Sequence, residues 1–188
     1  MLECNNTCTV VITTFFAGDK LENCIKNIPH IFKILIIDNG GEKNKKIYFE
    51  NKFPNLTYFV SNENLGVPRS YSLANKMVKT KYMFNTQPDV IIKEKCIENL
   101  LEKASLYNNF AILSPTIFHN KTYFIDGDYK QLKIINNKYV DSFKINSHPS
   151  NKNPPDGDIS VEAVTGTAML INRDKLNLID DWDKNIFN

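Results

Sequence analysis

Long apolar runs are missing from this 188-residue chain. None approaches the ~20 residues that a membrane-crossing helix needs. An excess of one charge is missing too. Lys and Arg number 23 against 21 Asp and Glu, a net charge of +2, and the lysines are scattered, so there is no basic stripe for nucleic acid or an anionic membrane. Cysteine is scarce. Cys4, Cys8, Cys24 and Cys96 show no paired metal-ligand spacing and read as reduced thiols of a cytosolic protein. The first six residues, MLECNN, carry neither the basic region nor the apolar core of a secretion signal. No G-x-G-x-x-G and no P-loop pattern occurs, which removes support for dinucleotide cofactors and P-loop nucleotide chemistry. His30, His119 and His148 fall in expected loops without a Ser, Cys or metal partner at a recognisable spacing, and are read as surface residues.

What is present is an ordinary globular composition, 42% hydrophobic and 23% charged, in a chain of single-domain length. Residues 9–14 (TVVITT) are β-branched throughout, as befits a strand buried on both faces. Asp19 and Glu22 have the spacing of a capping box and open a helix to about residue 27. Residues 33–37 (KILII) form a second buried strand that stops at Asp38-Asn39-Gly40-Gly41, followed by a charged helix over 42–51 and a strand over 56–60. The turn Asn64-Leu65-Gly66 leads into a helix with Val67, Tyr71, Ala74, Met77 and Val78 at three- and four-residue spacing and Pro68 in its first turn. Tyr82-Met83-Phe84 is a short strand ending abruptly at Asn85-Thr86-Gln87-Pro88-Asp89. An amphipathic helix over 93–107 and a fifth strand over 110–113 follow.

Five alternations of strand and helix predict an open, mostly parallel α/β sheet with helices on both faces. The last third predicts a small antiparallel portion. It has short strands at 123–125, 132–135 and 138–143, the latter two joined by Asn136-Asn137, and a loop over 146–158. Strands at 159–164 and 168–171 then flank Thr165-Gly166-Thr167, and Asp174 caps a last short helix.

In such a sheet the turns at the carboxyl ends of the strands share one crevice, where ligands bind. Thr13, Thr14 and Asp38 are placed to hydrogen-bond a base or ribose, and Asp89 to hold Mg²⁺ or Mn²⁺, which keep most of their other ligands as water and phosphate. Each signal has a plainer counterpart. Asp38 before Asn-Gly-Gly suits a turn former, and Asp89 suits a cap for the helix after it. Arg69, near a helix N-terminus, reads either as a phosphate contact or as an exposed first-turn arginine.

At these residues the chain resembles inverting family-2 glycosyltransferases with a GT-A fold, notably the rhamnosyltransferase-like group. VVITTFFAG (10–18) is similar to the family's opening strand and nucleotide-binding turn, ILIIDNGG (34–41) to its second strand, and ENLGVPRSYSLA (63–74) to its N-L-G helix entry. NTQPDV (85–90) stands at the metal-binding D-x-D, VTGTAMLINRD (164–174) at the segment near the acceptor, and DWDKNIF (181–187) at the F-D-E-x-F-F segment. The resemblance implies transfer, with inversion, of a sugar from a UDP- or dTDP-linked donor, rhamnose among the candidates, to a glycan, glycolipid or glycoprotein acceptor. It places Thr13, Thr14, Phe15, Asp38, Asn64, Gly66, Arg69, Gln87, Pro88 and Asp89 at the donor, with Asp89 as the Mn²⁺ or Mg²⁺ ligand, and Thr165, Gly166, Thr167 and Trp182 on the acceptor side.

Two departures accompany it. Gln87 stands where the first acid of D-x-D is expected, leaving the metal to Asp89 with water and phosphate. The acidic E-D motif that supplies the base would follow Asn188, so the chain is expected to be the N-terminal part of a longer protein (1–115 donor half, 116–188 acceptor half). Asp183 is then the nearest candidate base, ahead of Asp156 and Asp158. Two other readings stand beside this one. One is a nucleotide-sugar-binding module without transfer of its own. The other is a nucleotidyltransferase, which would need a Gly-rich, Arg-containing loop where Phe15-Phe16-Ala17-Gly18 lies.

Overall fold

A computed structural model of the protein describes residues 6–107, 109–119, 122–124, 134–135, 138–139, 157–158, 160, 164–179 and 181–183. The chain divides into two compact units, one of Met1–Leu113 with Gly166–Asn188 and one of Ser114–Thr165.

The first unit is a six-stranded sheet with its helices. In chain order it contains β1 (Cys8–Thr14), α1 (Asp19–Lys26), β2 (Lys33–Asp38), α2 (Lys43–Lys52), β3 (Leu56–Val60), α3 (Gly66–Met77), β4 (Tyr82–Thr86), α4 (Cys96–Leu106) and β5 (Ile112–Leu113). In the second unit, β6 (Ile117–His119) pairs antiparallel with β7 (Thr122–Phe124), and β8 (Ile134–Ile135) with β9 (Lys138–Tyr139). The chain then returns to the sheet with β10 (Ala168–Asn172) and α5 (Arg173–Leu178).

The sheet order is β3-β2-β1-β4-β10-β5, with β1, β2, β3 and β4 paired in parallel. Continuous apolar runs make the central strands, because only such runs can lie between two helical layers. Every residue of β1, β4 and β10 is buried. Strand alternation puts Val10, Ile12 and Thr14 on one face and Thr9, Val11 and Thr13 on the other. Tyr58, in register with Ile36 and through it with Ile12, stacks on Phe49 of α2, so α2 covers the first face. The Thr9 hydroxyl meets that of Thr80, just past α3, at 2.9 Å on the second.

Two expectations change, and the strand order is a finding beyond them. The fifth strand does not adjoin β4. Antiparallel β10 lies between them, with Leu170 opposite both Phe84 and Leu113. The Asp19–Glu22 capping box does not form. Gly18, at φ 59, is the N-cap without a side-chain bond, and Glu22 instead takes Lys26, Lys52 and Tyr48. The last helix is capped by Asn172, whose Oδ1 accepts from the Asp174 amide at 3.2 Å, rather than by Asp174 itself. The Asn136-Asn137 turn, most of the 146–158 loop and of the expected 159–164 strand, Cys4 and Asp156 lie outside the described residues. No helix among the described residues is long and apolar enough to cross a membrane. Among the described residues no two cysteines are joined by a disulfide.

Candidate active site

The carboxyl ends of β1 and β4 and the start of α3 surround a cavity of about 470 Å³. It is lined by Thr13, Phe15, Phe16, Ala17, Lys20, Val67, Gln87, Pro88 and Asp89. Of the sequence-derived donor residues, Thr13, Phe15, Gln87, Pro88 and Asp89 therefore meet in one place. Phe16 and Ala17, from the same strand-end turn, and Val67, from the helix entry, join them, as does Lys20, which no sequence motif had placed there. The proximity of Phe16 to a strand-end turn was visible in the sequence; the orientation of Lys20 was not.

The wall formed by β1 continues into a strained turn. Phe16 has φ 50, uncommon for a residue with a Cβ. Phe15 and Phe16 are 55% and 62% exposed although their rings meet edge to face at 4.6 Å. Apolar surface rimmed by polar residues marks ligand grooves among other interaction sites, and this pair lines the cavity beside Lys20, Gln87 and Asp89. Phe16 also fixes the neighbouring turn, because a Cβ on Gly40 would stand 3.3 Å from its ring and 3.2 Å from the Asp38 carboxylate.

Asp38 sits at the end of β2, fully buried. One carboxylate oxygen accepts from the Gly40 amide at 2.7 Å; the other accepts from the Glu42 amide at 3.0 Å and the Tyr58 hydroxyl at 3.1 Å. Burial raises the pKa of the Tyr58 phenol, and the adjacent Asp38 charge raises it further. Beside it, Asn39 links this turn to α3. Its Nδ2 donates to Ser70 Oγ at 2.9 Å and its Oδ1 accepts from the Leu65 amide at 3.3 Å. Asn64 Oδ1 accepts from the Gly66 amide at 3.0 Å, and Gly66 takes φ 66, so the N-L-G turn is set by local chemistry. Arg69 pairs with Glu63 and is not among the cavity-lining residues. Thr14 is buried on the opposite face of β1 from Thr13.

The β4 turn presents Asp89 to solvent and half-buries Gln87. The Gln87 carbonyl accepts from the Val90 amide at 3.2 Å and from the Cys24 thiol at 3.5 Å. Burial, helped by the Asp89 charge, pushes that thiol up to about 12. Among the described residues no three His, Cys, Asp or Glu side chains form a metal cluster. One exposed carboxylate with an amide-bearing neighbour still meets the minimum for Mg²⁺ or Mn²⁺, which take one or two carboxylates and complete their shell with substrate phosphate and water.

The acceptor-side residues are drawn in by α3 and β4. Thr86 Oγ1 donates to the Thr167 carbonyl at 3.0 Å, the Tyr71 hydroxyl to the Gly166 carbonyl at 3.4 Å, and the Trp182 ring lies 5.4 Å from that of Tyr71. Burial raises the Tyr71 phenol, a shift only partly offset by the Thr13 hydroxyl. Asp181, at φ 74, accepts from Ser72 Oγ at 2.6 Å and so anchors Trp182 and the exposed Asp183 beside α3. Thr165, half-buried, and Asp158, exposed, belong to the second unit. Both polar atoms of Asn85 and Trp182 Nε1 are buried without a hydrogen-bond partner among the described residues. Such orphans are costly in a folded interior, and functional sites are one of the few places that keep them.

Comparison with known proteins agrees with this layout. The model of the family described as glycosyl transferase family 2 matches residues 9–177. No curated protein sequence matches. Among solved structures, a mannosyltransferase of Pyrobaculum calidifontis, in complex with GDP-Man and Mn²⁺, superposes with a TM-score of 0.64 at 11% identity, over 95% of this chain and 48% of that one. S. aureus TarS 1-349 in complex with UDP superposes with a TM-score of 0.62 at 11% identity, over 95% of this chain and 51% of that one. This chain thus spans about half the length of either, and at these identities the likeness concerns the fold.

Proposed function

The chain belongs to glycosyl transferase family 2, and from that premise we propose that it moves a sugar from a nucleoside-diphosphate donor to a glycan acceptor hydroxyl with inversion. The observation that carries the reading is the cavity at the ends of β1 and β4, where an aromatic pair and one exposed carboxylate converge. The Phe15 and Phe16 rings, set edge to face, offer apolar ring surface to a base, and Thr13 lines the same wall. Asp89 and the Gln87 amide would hold Mg²⁺ or Mn²⁺. A bound cation of that kind would supply positive charge to the departing diphosphate.

The chemistry is an in-line displacement at the anomeric carbon. The acceptor hydroxyl attacks the face opposite the nucleotide, loses its proton to a carboxylate, and the nucleoside diphosphate leaves. Asp183 is our candidate for the proton acceptor, held near α3 by the Asp181 anchor. Thr165, Gly166, Thr167 and Trp182 are our candidates for the acceptor side, and the donor is UDP- or dTDP-linked, rhamnose included. The neighbours crystallised with UDP and with GDP-Man put GDP-mannose in the test panel as well.

Calorimetry with these nucleotide sugars, with and without Mn²⁺, tests the reading. Binding of at least one donor is expected, and silence across the panel would remove the donor site. Asp89→Ala should erase the Mn²⁺-linked part of the affinity; unchanged Mn²⁺ dependence would return Asp89 to the role of a turn residue. A second reading, a donor-binding module without transfer of its own, is favoured by one observation: among the described cavity-lining residues Asp89 is the only carboxylate. Loss of a general base costs ~10²–10⁴-fold in rate, so binding without measurable transfer would select it.

A further inference from the structure

Lys20 is a cation in a position that local forces do not favour. It follows Asp19 at the start of α1, where the free backbone N–H groups already carry partial positive charge and a lysine is repelled. Its own helix offers no compensation. Three and four residues on stand Asn23 and Cys24, while Glu22 is taken by Lys26, Lys52 and Tyr48. Lys20 makes no ion pair or hydrogen bond with any described residue, yet its side chain lines the cavity that Asp89 also lines. A residue that breaks a local rule without a structural partner is where a ligand is to be sought.

The charge count of the cavity sharpens this. With Gln87 in place of an acid, the described lining residues hold one negative group, Asp89, and one positive group, Lys20. The other cation of this region, Arg69, is engaged by Glu63. A turn with two acids would carry two negative charges and repel a diphosphate until a divalent cation intervened. This cavity starts near neutrality and already presents an ammonium.

We infer that Lys20 is the group that meets the donor's diphosphate, and that it takes over enough of the neutralisation for nucleotide to bind without a divalent metal. The inference rests on the donor-site reading above and adds to it a phosphate ligand and a relaxed metal requirement. An ammonium reaching a phosphate oxygen makes a charge-assisted hydrogen bond, and its loss weakens binding about 10- to 100-fold. The effect should scale with the ligand's phosphate charge and be weakened by salt, since the contact is ionic.

The experiment is calorimetry of a nucleoside diphosphate and its parent nucleoside, using the base that binds best. Wild type, Lys20→Met and Lys20→Arg are each titrated with Mn²⁺ and with EDTA. Wild type should bind the diphosphate in EDTA. Lys20→Met should lose about 10- to 100-fold for the diphosphate there, with nucleoside affinity and melting temperature unchanged, and Lys20→Arg should keep most of the affinity. Equal losses for diphosphate and nucleoside, or no loss, would overturn the phosphate contact while leaving the donor site intact. Wild-type binding that vanishes in EDTA would overturn the relaxed metal requirement. If wild type binds no nucleotide under either condition, the donor reading itself falls, and this inference with it.

Discussion

Replacing Asp38 separates two roles that one carboxylate at this place could play. Its two oxygens serve three donors, the Gly40 and Glu42 amides and the Tyr58 hydroxyl, and the side chain is fully buried. In Asp38→Asn one oxygen becomes an NH₂ group. Tyr58 can reverse its hydroxyl and accept from it, but a backbone amide cannot. Whichever way the new side chain turns, either the Gly40 or the Glu42 N–H is left facing a donor. An unsatisfied amide in such a place costs about 1–3 kcal/mol. For a chain of 188 residues that corresponds to a fall of about 2–12 °C in melting temperature, at about 2–4 °C per kcal/mol. Asp38→Ala strands all three donors and should cost about 3–5 kcal/mol. The assay is thermal unfolding followed by circular dichroism, with nucleotide affinity measured well below the transition. Tyr58→Phe supplies the control, since it removes one donor and leaves the two amides served. A melting temperature for Asp38→Asn equal to wild type, with nucleotide affinity reduced instead, would refute the structural account and make Asp38 a ligand contact.

Gly40→Ala should act on the cavity rather than on the core. Its Cβ would press on the Phe16 ring and the Asp38 carboxylate, so a shift of Phe16 and weaker nucleotide binding with a small loss of stability are expected; a ligand affinity equal to wild type would show that Phe16 does not contact the ligand. Glu22 is held down at about 2 by Lys26, then Lys52 and Tyr48, against an ordinary value of 4.5. A depressed carboxyl stabilises the fold above its unfolded pKa and loses that contribution as pH falls toward the folded one, so Glu22→Gln should flatten the acid limb of the stability profile between about pH 4.5 and about pH 2. Glu22 is half-buried and its lysine partners are exposed, so the effect should be small and should disappear in high salt; an acid limb identical to wild type at low salt would count against the network.

What could be read from residues alone was what depends on neighbours in the chain. The runs that became β1, β2 and β4 announce burial on both faces because their middles are β-branched, aliphatic or aromatic with no polar alternation. The Asn64-Leu65-Gly66 turn is equally local, since an Asn side chain two residues before a glycine makes its own bond to the backbone. Lys20 and Arg69 show where such reading stops. Both are basic residues near the starts of helices that follow strands, Lys20 second in α1 and Arg69 fourth in α3. Only packing turned one into the cavity and gave the other to Glu63.

The sequence by itself determined the alternation of strands and helices, the polar turns that end β1, β2 and β4, and the presence of a single acid at the β4 turn. Each of these is written in a window of a few residues. Tertiary structure decided the rest. It set β10 between β4 and β5, because a strand's partner is chosen by matching surfaces far apart in the chain rather than by its own composition. It buried Asp38 under a tyrosine from the next strand and brought Lys20 and Asp89, 69 positions apart in the sequence, to the same cavity. Convergence of that kind follows from loop closure and packing, which no local window contains.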